Sequence, residues 1–453
     1  MRTNQLEAGI RDEVTSLLSD LIRIDTTNPP GNETTAAEYL ARTLEKDKFD
    51  CELFESKPGR GSVVTRLKGS GAGPSILLLS HLDVVAANPK EWSVDPFGGV
   101  VKEGFVWGRG AFDMKSLTAV EIMVIKLLKR RNVRLKGDVI LAATADEEKG
   151  GAKGAGWLTR THPEKIKADY VINEGGGLAV PVKGKNVFTV QTAEKGILWL
   201  RIKAKGVPGH GSIPGAARNA IVQMNKVLNV LGNHKSKIVL IPTVKEFLSK
   251  IADGDDLDMR KLGNIVKNPE DADKILNELA KKDKFFAEET RVKLKMTVAP
   301  TVIRGGVKEN IIPSECEAVF DCRILPGQTT SEALATIKKL LKEVDYDDLK
   351  FEVIEASEPS ESPTHTSFYE EIVNVLKEYD PRCEVAPDII TGGTDSRYLR
   401  SLGSVCYGFQ PMLADLPYGD IKKRIHGIDE KISIDNLVFG TKVLYEVIER
   451  FMA

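Results

Sequence analysis

Acidic and imidazole side chains follow several strand-like segments of the sequence, and their types are those that bind divalent metals. The apolar run "SILLLSHLDVV" over residues 75–85 ends in His81 and Asp83, although a buried strand gains nothing from either residue. Four further segments carry such residues: "WGRGAFDMK" with Asp113, "VILAATADEE" with Glu147 and Glu148, "DYVINE" with Glu174, and "KRIHGID" with His426. Because ligands collect at the carboxyl edge of parallel strands in α/β sheets, we expect these side chains to meet at one edge.

Imidazole and carboxylate ligands without a thiolate suit Zn²⁺, Co²⁺ or Mn²⁺. Two imidazoles and three carboxylates are enough for two ions if one carboxylate bridges them. Such a pair polarises a carbonyl group and lowers the pKa of water. In the adjacent pair Glu147 and Glu148, one carboxylate can bind metal while its neighbour moves a proton from the attacking water to the leaving amine.

Each of these segments also has an ordinary structural explanation. A strand-terminal His-x-Asp can be a satisfied surface pair, and "DEE" is most often a solvated acidic turn. Asp113 can cap the helix that follows it, and His426 can be a plain loop histidine. The order and spacing of the segments argue against these explanations, because each of them would have to be true independently.

Composition and charge exclude several other classes of protein. The 453 residues carry 64 Lys and Arg against 65 Asp and Glu, a net charge of −1, which gives no reason to expect a nucleic acid as partner. No apolar stretch approaches the ~20 residues needed to cross a bilayer, and the first residues lack the apolar run of a signal peptide. The five cysteines have no C-x-x-C spacing and predict reduced thiols in a cytoplasmic protein.

The chain exceeds the length at which one hydrophobic core stops growing, so we expect two domains. Residues 1–194 and 358–453 alternate apolar strands with helices, which is typical of an α/β sheet covered on both faces. Residues 195–357 instead contain strands of alternating polarity, such as "ILWLRIKAKG" and "CEAVFDCRIL", and two helices, "NAIVQMNKVLNVL" and "SEALATIKKLLKEV". This pattern predicts an inserted α+β domain, in which the lysine- and aspartate-rich residues 243–292 look like an extra helical, surface-exposed segment.

The motifs occur in the order of a known family. The chain carries "SHLDVV", "WGRGAFDMK", "ATADEEKGG", "INEGGG", "GHGSIP", "NIIP", "TGGTDSRYLR" and "RIHGIDEKI". Over nearly its whole length it resembles the co-catalytic zinc metallopeptidase family that includes aminoacylase, acetylornithine deacetylase, succinyl-diaminopimelate desuccinylase, glutamate carboxypeptidase and carboxypeptidase S. The resemblance implies a catalytic domain with a mixed sheet flanked by helices, interrupted by a lid or dimerisation domain with a four-stranded antiparallel sheet and two helices.

The resemblance also implies a ligand set. Asp113 would bridge two zinc ions, with cobalt or manganese as alternatives. His81 and Glu174 would complete one site, and Glu148 and His426 would complete the other.

Three residues gain roles around these ions from the same resemblance. Glu147 would be the general base, and Asp83 would orient and polarise His81. His210 in "VPGHGSIP" would stabilise the tetrahedral oxyanion, often from the other subunit of a dimer, and such a donor contributes ~3–4 kcal/mol. A homodimer through the lid is therefore expected, although residues 243–292 make this lid longer than usual and leave open whether His210 acts in trans or in cis.

Substrate-binding candidates come from positions where relatives keep polar groups. They are Asn219 in "AARNAI", Asn310 in "ENIIP" and Arg323 in "CRILPG". Asn310 is equally explained as a turn residue, and Arg323 as a surface partner of Asp321.

The segment "TGGTDSRYLR" adds two more candidates. Arg397 could pair bidentately with a substrate carboxylate, and Gly393, with Gly392, would let the backbone approach the ligand. A helix-surface salt bridge is the alternative for Arg397. The other histidines, His162, His234 and His365, match no motif and are expected at the surface.

Hydrolysis of an amide next to a free carboxylate is the common reaction of the family that the chain resembles. In this resemblance, a glutamate at position 174 is more usual among the amidases, and the "TDSRYLR" stretch looks like the aminoacylase and carboxypeptidase S branch. The resemblance therefore favours an N-acyl-L-amino-acid amidohydrolase acting on small N-acyl amino acids. A dipeptidase or carboxypeptidase is the second possibility, and an acetylornithine deacetylase or succinyl-diaminopimelate desuccinylase is the third. A metal-free binding homologue is disfavoured, because all five ligands and the base are present.

Overall fold

The computed structural model describes residues 2–453 except for 183, 254–255, 343–348 and 416–417. Its strands, in chain order, are β1 Cys51–Glu55, β2 Gly61–Leu67, β3 Ile76–His81, β4 Val100–Lys102, β5 Phe105–Trp107, β6 Val139–Thr144, β7 Tyr170–Asn173, β8 Ala179–Val182, β9 Lys185–Glu194, β10 Gly196–Lys205, β11 Gly209–His210, β12 Thr297–Gly305, β13 Ile311–Ile312, β14 Glu315–Ile324, β15 Leu349–Ser357, β16 Ser360–Glu361, β17 Glu384–Ile390, β18 Val405–Gly408 and β19 Lys431–Ser433.

The α-helices, also in chain order, are α1 Arg2–Arg23, α2 Glu33–Glu45, α3 Lys115–Arg130, α4 Ala155–Thr161, α5 Pro163–Ile166, α6 Ala220–Gly232, α7 Pro242–Ala252, α8 Leu257–Lys267, α9 Ala272–Ala280, α10 Lys284–Lys293, α11 Thr330–Lys342, α12 Ser367–Tyr379, α13 Ser396–Ser401, α14 Tyr418–Lys422 and α15 Ile434–Met452. The end of the predicted helix "SEALATIKKLLKEV" lies outside the described residues.

Ten strands of the described chain form one large mixed sheet. Its main path runs β1-β2-β6-β3-β7-β18-β9-β16, and β8 and β17 also pair with β9. Strand β3 is parallel to β6 and β7, and β18 is parallel to β7, whereas β1 and β2 run antiparallel to their neighbours. The predicted mixed sheet is therefore confirmed.

Helices cover both faces of this sheet. Strands β3 and β6 are buried at every residue, as their continuous apolar sequences predict. On one face they pack against α1, α2, α3, α12 and α15, and on the other against α4, α5 and α13. Each fully buried aliphatic side chain contributes about 1.5–3 kcal/mol to folding, so the central strands form a stable core of the sheet.

The candidate metal-binding residues lie at one edge of this part of the sheet. Strand β3 ends at His81, which is level with Thr144 at the end of the parallel strand β6. Strand β7 ends at Asn173, immediately before Glu174. Because these strands are parallel neighbours, their carboxyl ends open onto the same edge.

A second sheet has the antiparallel order β12-β14-β10-β15. Strands β10 and β14 alternate buried and more exposed residues, and α6 and α11 pack on the buried face. The predicted four-stranded sheet with two helices is therefore observed. Lys195 alone separates β9 from β10, so the chain passes from one sheet to the other there, and the division into two domains stays a prediction.

Helices α7 to α10 contain the lysine- and aspartate-rich residues 243–292. The segment is helical, but the expectation that it is merely surface-exposed is wrong for its apolar face. Phe247, Leu248 and Leu262 are fully buried together with Val187 of β9 and other residues of the large sheet. The segment lies in sequence between α6 and β12, which belong to the second sheet and its helices, but it packs against part of the large sheet.

Two smaller observations concern membrane-spanning helices and the cysteines. No helix among the described residues is long and apolar enough to span a membrane. All five cysteines lie in the described part of the chain and are free thiols, as their spacing predicts.

Candidate metal centre

Five side chains that the sequence singles out meet at the carboxyl edge of the large sheet. They form two overlapping groups, His81–Asp113–Glu174 and Asp113–Glu148–His426, and within each group one ligand atom per residue lies within 4.8 Å of the others. We call these five residues the metal cluster. Asp113 belongs to both groups, so it occupies the position that a bridging ligand needs.

The distances show how Asp113 serves both groups. Its Oδ1 lies 3.3 Å from Nε2 of His81, and its Oδ2 lies 3.3 Å from Nε2 of His426. Nε2 of His81 is also 3.8 Å from Glu174 Oε1, and Nε2 of His426 is 3.2 Å from Glu148 Oε2. Each carboxylate oxygen of Asp113 thus faces one imidazole, and each of these imidazoles faces one further carboxylate.

The donor set fits a pair of divalent cations. His81 Nε2 and Glu148 Oε1 are buried, yet neither has a hydrogen-bond partner among the described residues. Burying such atoms unpaired is costly, whereas imidazole nitrogen and carboxylate oxygen are the ordinary ligands of zinc and similar ions. The two orphaned atoms therefore point to a cation between them and their neighbours.

The electrostatics of the cluster also call for positive charge. Burial raises the pKa of Glu174 to about 8, with a further increase from Asp113 and Glu148. Burial, together with Glu174, raises the pKa of Glu147 well above its usual range. Contacts with Asp113 and Glu148 raise the pKa of His426 to about 10. Without a cation, part of this acidic group would take up protons; a cation among the carboxylates would keep them ionised.

The orientation of His81 is fixed by backbone. Its Nδ1 lies 2.9 Å from the carbonyl oxygen of Asp83 and 3.5 Å from the carboxylate Oδ1 of the same residue. Since a carbonyl only accepts, Nδ1 is the donor in this contact, and in the neutral imidazole the lone pair of Nε2 then faces the cluster. Asp83 thus orients His81, but chiefly through its carbonyl and not through its side chain.

The Asp83 carboxylate has a different task. Its Oδ1 accepts a hydrogen bond from the backbone N–H of Glu147 at 3.0 Å, and its Oδ2 accepts from the N–H of Glu148 at 3.1 Å and from Asn28 at 2.8 Å. The side chain is fully buried. It therefore holds the turn that presents Glu147 and Glu148.

A buried arginine stabilises that turn through ion pairs and hydrogen bonds. Arg60 lies 2.7 Å from both Glu33 and Asp146, and it donates to Asn28 at 3.0 Å. Asp146 has a φ of +74°, a left-handed conformation that non-glycine residues adopt at some cost. The ion pairs hold Asp146 there, directly before Glu147.

A second buried ion pair joins the loops of Asp113 and His426. The Glu430 carboxylate accepts hydrogen bonds from four donors: Phe112 N at 2.7 Å, Asp113 N at 2.9 Å, Gly110 N at 3.1 Å and Arg109 Nη1 at 2.7 Å. Arg109 also donates to the carbonyl of Gly427 at 2.9 Å. We call this arrangement the Glu430–Arg109 clasp; it fixes the backbone of the shared ligand relative to the loop of His426.

Asp395 is a further buried acid that the sequence reasoning missed, although it lies within "TGGTDSRYLR". Its Oδ2 accepts a hydrogen bond from Thr144 at 3.1 Å, and its Oδ1 has no partner among the described residues. Burial raises its pKa to about 7. Its charge also contributes to the raised pKa of Glu147.

Arg397 and Gly393 lie near the turn of Glu147. Arg397 Nη2 donates to the carbonyl of Gly150 at 2.6 Å, and its guanidinium lies over the ring of Tyr398 at 5.0 Å. A Cβ on Gly393 would come within 3.0 Å of Arg397 Nη1. The glycine therefore keeps space beside the guanidinium.

The other candidates lie on or beside the second sheet. His210 is exposed and its Nδ1 is 2.8 Å from Ser212 Oγ, while the carbonyl of Asn310 accepts from Gly211 at 2.8 Å. Asn219 caps α6 by accepting from Ile221 N at 2.9 Å. Arg323 pairs with Asp321 at 2.7 and 3.0 Å, the contact that the sequence predicts as the alternative to a role in substrate binding. None of these described contacts brings the four residues to the metal cluster, and His162, His234 and His365 also lie outside it.

Comparison with known proteins agrees with this geometry. The model of peptidase family M20/M25/M40 matches residues 77–450. The N-fatty-acyl-amino acid synthase/hydrolase PM20D1 of Mus musculus is 28% identical over 398 residues, covering 84% of this chain and 75% of that protein. Aminoacylase-1A of Rattus norvegicus is 27% identical over 408 residues, covering 88% of this chain and 86% of that protein. The M20 family metallo-carboxypeptidase Sso-CP2 of Sulfolobus solfataricus has the same fold, with a TM-score of 0.72, 20% identity, and coverage of 97% of this chain and 99% of that chain.

Proposed function

The chain belongs to peptidase family M20/M25/M40 and is a metal-dependent amidohydrolase, and we propose that its substrates are N-acyl-L-amino acids. The observation that carries the proposal is the metal cluster with Asp113 shared between two groups of ligands. The substrate class is supported by the two relatives, whose names refer to acyl-amino acids or to aminoacylase activity and which match most of the chain.

We assign two divalent ions to the metal cluster, zinc first, with cobalt or manganese as alternatives. Asp113 would be the ligand that the two ions share, His81 and Glu174 would complete one site, and Glu148 and His426 would complete the other. When bound, the ions supply Lewis acidity toward the substrate carbonyl and lower the pKa of water. The backbone carbonyl of Asp83 keeps His81 in the tautomer that can bind metal.

Glu147 is the general base in this proposal. It stands next to the ligand Glu148, on a turn that the Asp83 carboxylate fixes through two backbone hydrogen bonds. Its burial and its acidic neighbours raise its pKa, which suits a group that takes a proton from the attacking water. The same carboxyl group then delivers that proton to the leaving amine.

Arg397 recognises the free carboxylate of the substrate. Its Nη2 is held by the carbonyl of Gly150, three residues after Glu147, so the amino-acid half of the substrate lies on the side of the proton donor. Gly393 leaves room beside Nη1. A guanidinium fixed in this way can bind a carboxylate through charge-assisted hydrogen bonds.

We also propose a homodimer in which His210 of one subunit stabilises the oxyanion in the other. His210 and the neighbouring Asn310 are exposed. An apolar surface lies nearby: Val302 and Ile303 on the edge strand β12, followed by Val307, and Ile221 and Val222 on α6. Unpaired edges of this kind favour pairing with another strand, and a second copy of the chain would cover both the edge and the helix.

The test is amine release by the zinc-reconstituted protein on N-acetyl-, N-succinyl- and long-chain N-acyl-amino acids and on simple dipeptides. We expect turnover of acyl-amino acids to exceed that of dipeptides. Replacement Glu147→Ala should lower kcat by about 10²–10⁴-fold, while the surface control Glu91→Ala should retain full activity. Faster cleavage of dipeptides would make the chain a dipeptidase or carboxypeptidase, and full activity in Glu147→Ala would contradict the assignment of the base.

A further inference from the structure

A cavity opens beside the metal cluster, on the side of Asp113 and Glu174. It has a volume of about 120 Å³. The apolar residues that line it are Phe112, Met114, Leu178, Ile390, Met412 and Ile425. They come from the loop before α3, the segment after β7, the end of β17 and the two loops that follow β18.

The polar side chains of this cavity are occupied by partners inside the protein. Thr189 donates to the carbonyl of Leu178 at 3.3 Å, and Gln410 donates to the hydroxyl of Ser116 at 2.8 Å. Apart from the two members of the metal cluster, the remaining polar side chain among the described lining residues is Asp388.

Asp388 is neutralised by an ion pair. Lys293, at the end of α10, lies 2.9 Å and 2.7 Å from its two carboxylate oxygens, and Oδ1 also accepts from Ile389 N at 2.8 Å. Both side chains are largely buried. The charge of Asp388 is therefore balanced, and the cavity offers mainly apolar surface to a ligand.

The position of the cavity indicates which half of a substrate it faces. The leaving nitrogen must face Glu147, and Arg397 lies on the same side. The described lining of the cavity includes neither of these two residues. The group on the other side of the scissile carbonyl, which is the acyl chain, would therefore point into the cavity.

We propose that this cavity is the acyl-binding pocket and that it selects apolar acyl groups longer than acetyl. The proposal rests on the proposed function and deepens it, because it names the acyl class. An apolar pocket gains affinity with each methylene that it buries. A charged acyl group such as succinyl would instead bring a carboxylate next to apolar surface and to the paired Asp388, which disfavours it.

The experiment compares kcat/KM of the zinc-reconstituted enzyme on N-acetyl-, N-butyryl-, N-hexanoyl- and N-octanoyl-leucine. We expect wild-type kcat/KM to rise along the series. Ile390 is partly exposed at the pocket wall, so it tolerates replacement by both larger and smaller side chains. Ile390→Trp should lower the octanoyl-to-acetyl ratio of kcat/KM by about tenfold or more, and Ile390→Ala should not lower it.

Leu53→Trp is the matched control. Leu53 is a half-exposed residue of the edge strand β1, at the opposite end of the same sheet from β17, and it does not line the cavity. Its replacement should leave the ratio unchanged. A wild-type preference for acetyl, or a ratio that Ile390→Trp does not change, would overturn the pocket while leaving the amidohydrolase assignment intact. Failure of the wild-type enzyme to cleave any member of the series would instead overturn the proposed function, and the pocket with it.

Discussion

The carboxylates of the metal cluster are held by groups that do not themselves bind metal. The Asp83 side chain fixes the turn of Glu147 and Glu148, and the Glu430–Arg109 clasp fixes the backbone of Asp113. Residues that hold metal ligands through hydrogen bonds normally determine how well those ligands are oriented. Their loss costs about 10–100-fold in metal affinity or activity. The arrangement of the cluster is thus built from backbone hydrogen bonds to buried acids.

The Glu430–Arg109 clasp can be tested by the replacement Glu430→Gln. The amide keeps the size of the side chain but loses the charge that faces Arg109 and the acceptor capacity that four donors share. We expect zinc affinity to fall by about 10–100-fold, measured by titration of the apo protein with zinc in competition with a chelator. The surface replacement Glu91→Gln is the control. Unchanged zinc affinity in Glu430→Gln would show that the clasp does not position the ligands.

At this scale the sequence predicts the ligands better than their supports. His81 is recognisable because it ends a strand, Glu174 because it directly follows one, and Asp113 because it lies in a glycine-rich loop that enters a helix. Glu430 lies inside a recognised motif, but its partner Arg109 is 321 positions away, so nothing local signals their contact. The roles of Asn28 and Arg60 could not be predicted for the same reason, since only the folded chain brings them next to the turn of Glu147.

Helices α7 to α10 are tied to the large sheet by charge as well as by apolar packing. Lys293 of α10 pairs with Asp388 of β17, and Lys250 of α7 lies 2.8 Å from Glu384 of the same strand. The first pair is largely buried and lies at the wall of the cavity beside the metal cluster. The helical segment therefore contributes to the environment of the site and is more than a surface addition.

Replacement of Lys293 by Met should leave the Asp388 carboxylate buried without its partner. We expect the free energy of unfolding to fall by about 3–5 kcal/mol, measured by urea denaturation. The double replacement Lys293→Met/Asp388→Asn removes both charges and should recover a large part of that loss. Equal destabilisation of the single and the double variant would contradict this account of the pair.

Lys195, at the junction of β9 and β10, predicts a pH dependence of stability. Its ammonium group is buried and donates to the carbonyls of Val292 and Lys295 at 2.8 Å each. Burial lowers its pKa to about 7 from the ordinary value of 10.5, with a smaller contribution from Arg323. Between about pH 7 and pH 10 the unfolded chain therefore binds more protons at this position, so Lys195 destabilises the fold least at high pH.

The replacement Lys195→Met removes this dependence. The difference in free energy of unfolding, wild type minus variant, should rise with pH above 7 by up to ~1.4 kcal/mol per pH unit. Urea denaturation at several pH values measures it, with the surface replacement Lys377→Met as the control that should run parallel to wild type. A parallel curve for Lys195→Met would contradict the lowered pKa.

The elements themselves follow largely from local patterns, whereas their packing partners do not. Continuous apolar runs predict β3 and β6, and alternating runs predict β10 and β14. In residues 243–292 the charged faces are conspicuous, but the apolar face that α7 turns toward β17 depends on a strand more than a hundred positions away. Amphipathic spacing indicates that a face is buried and leaves open what buries it.

At the scale of the whole molecule, the exposed edge of the second sheet predicts a dimer. Ile303 of β12 is 56% exposed, and Gly305 of the same strand lies against Ile221 of α6. We expect light scattering to give roughly twice the mass of one chain, and Ile303→Lys to give a monomer, because a charge on an edge strand opposes pairing. Leu53→Lys, on the edge strand β1, is the matched control that should remain dimeric. A monomeric wild-type protein would contradict the dimer and exclude a role for His210 in trans.

Asp113 belongs to both ligand groups of the metal cluster, and counting bound zinc tests most directly the proposal that it is shared by two ions. The apo protein is titrated with zinc, and tightly bound metal is measured by elemental analysis after removal of excess. We expect about two ions per chain in the wild-type protein, about one in His426→Ala, and fewer than one in Asp113→Ala, since that residue serves both ions. No bound zinc in the wild-type protein, or an undiminished count in Asp113→Ala, would contradict the shared metal centre.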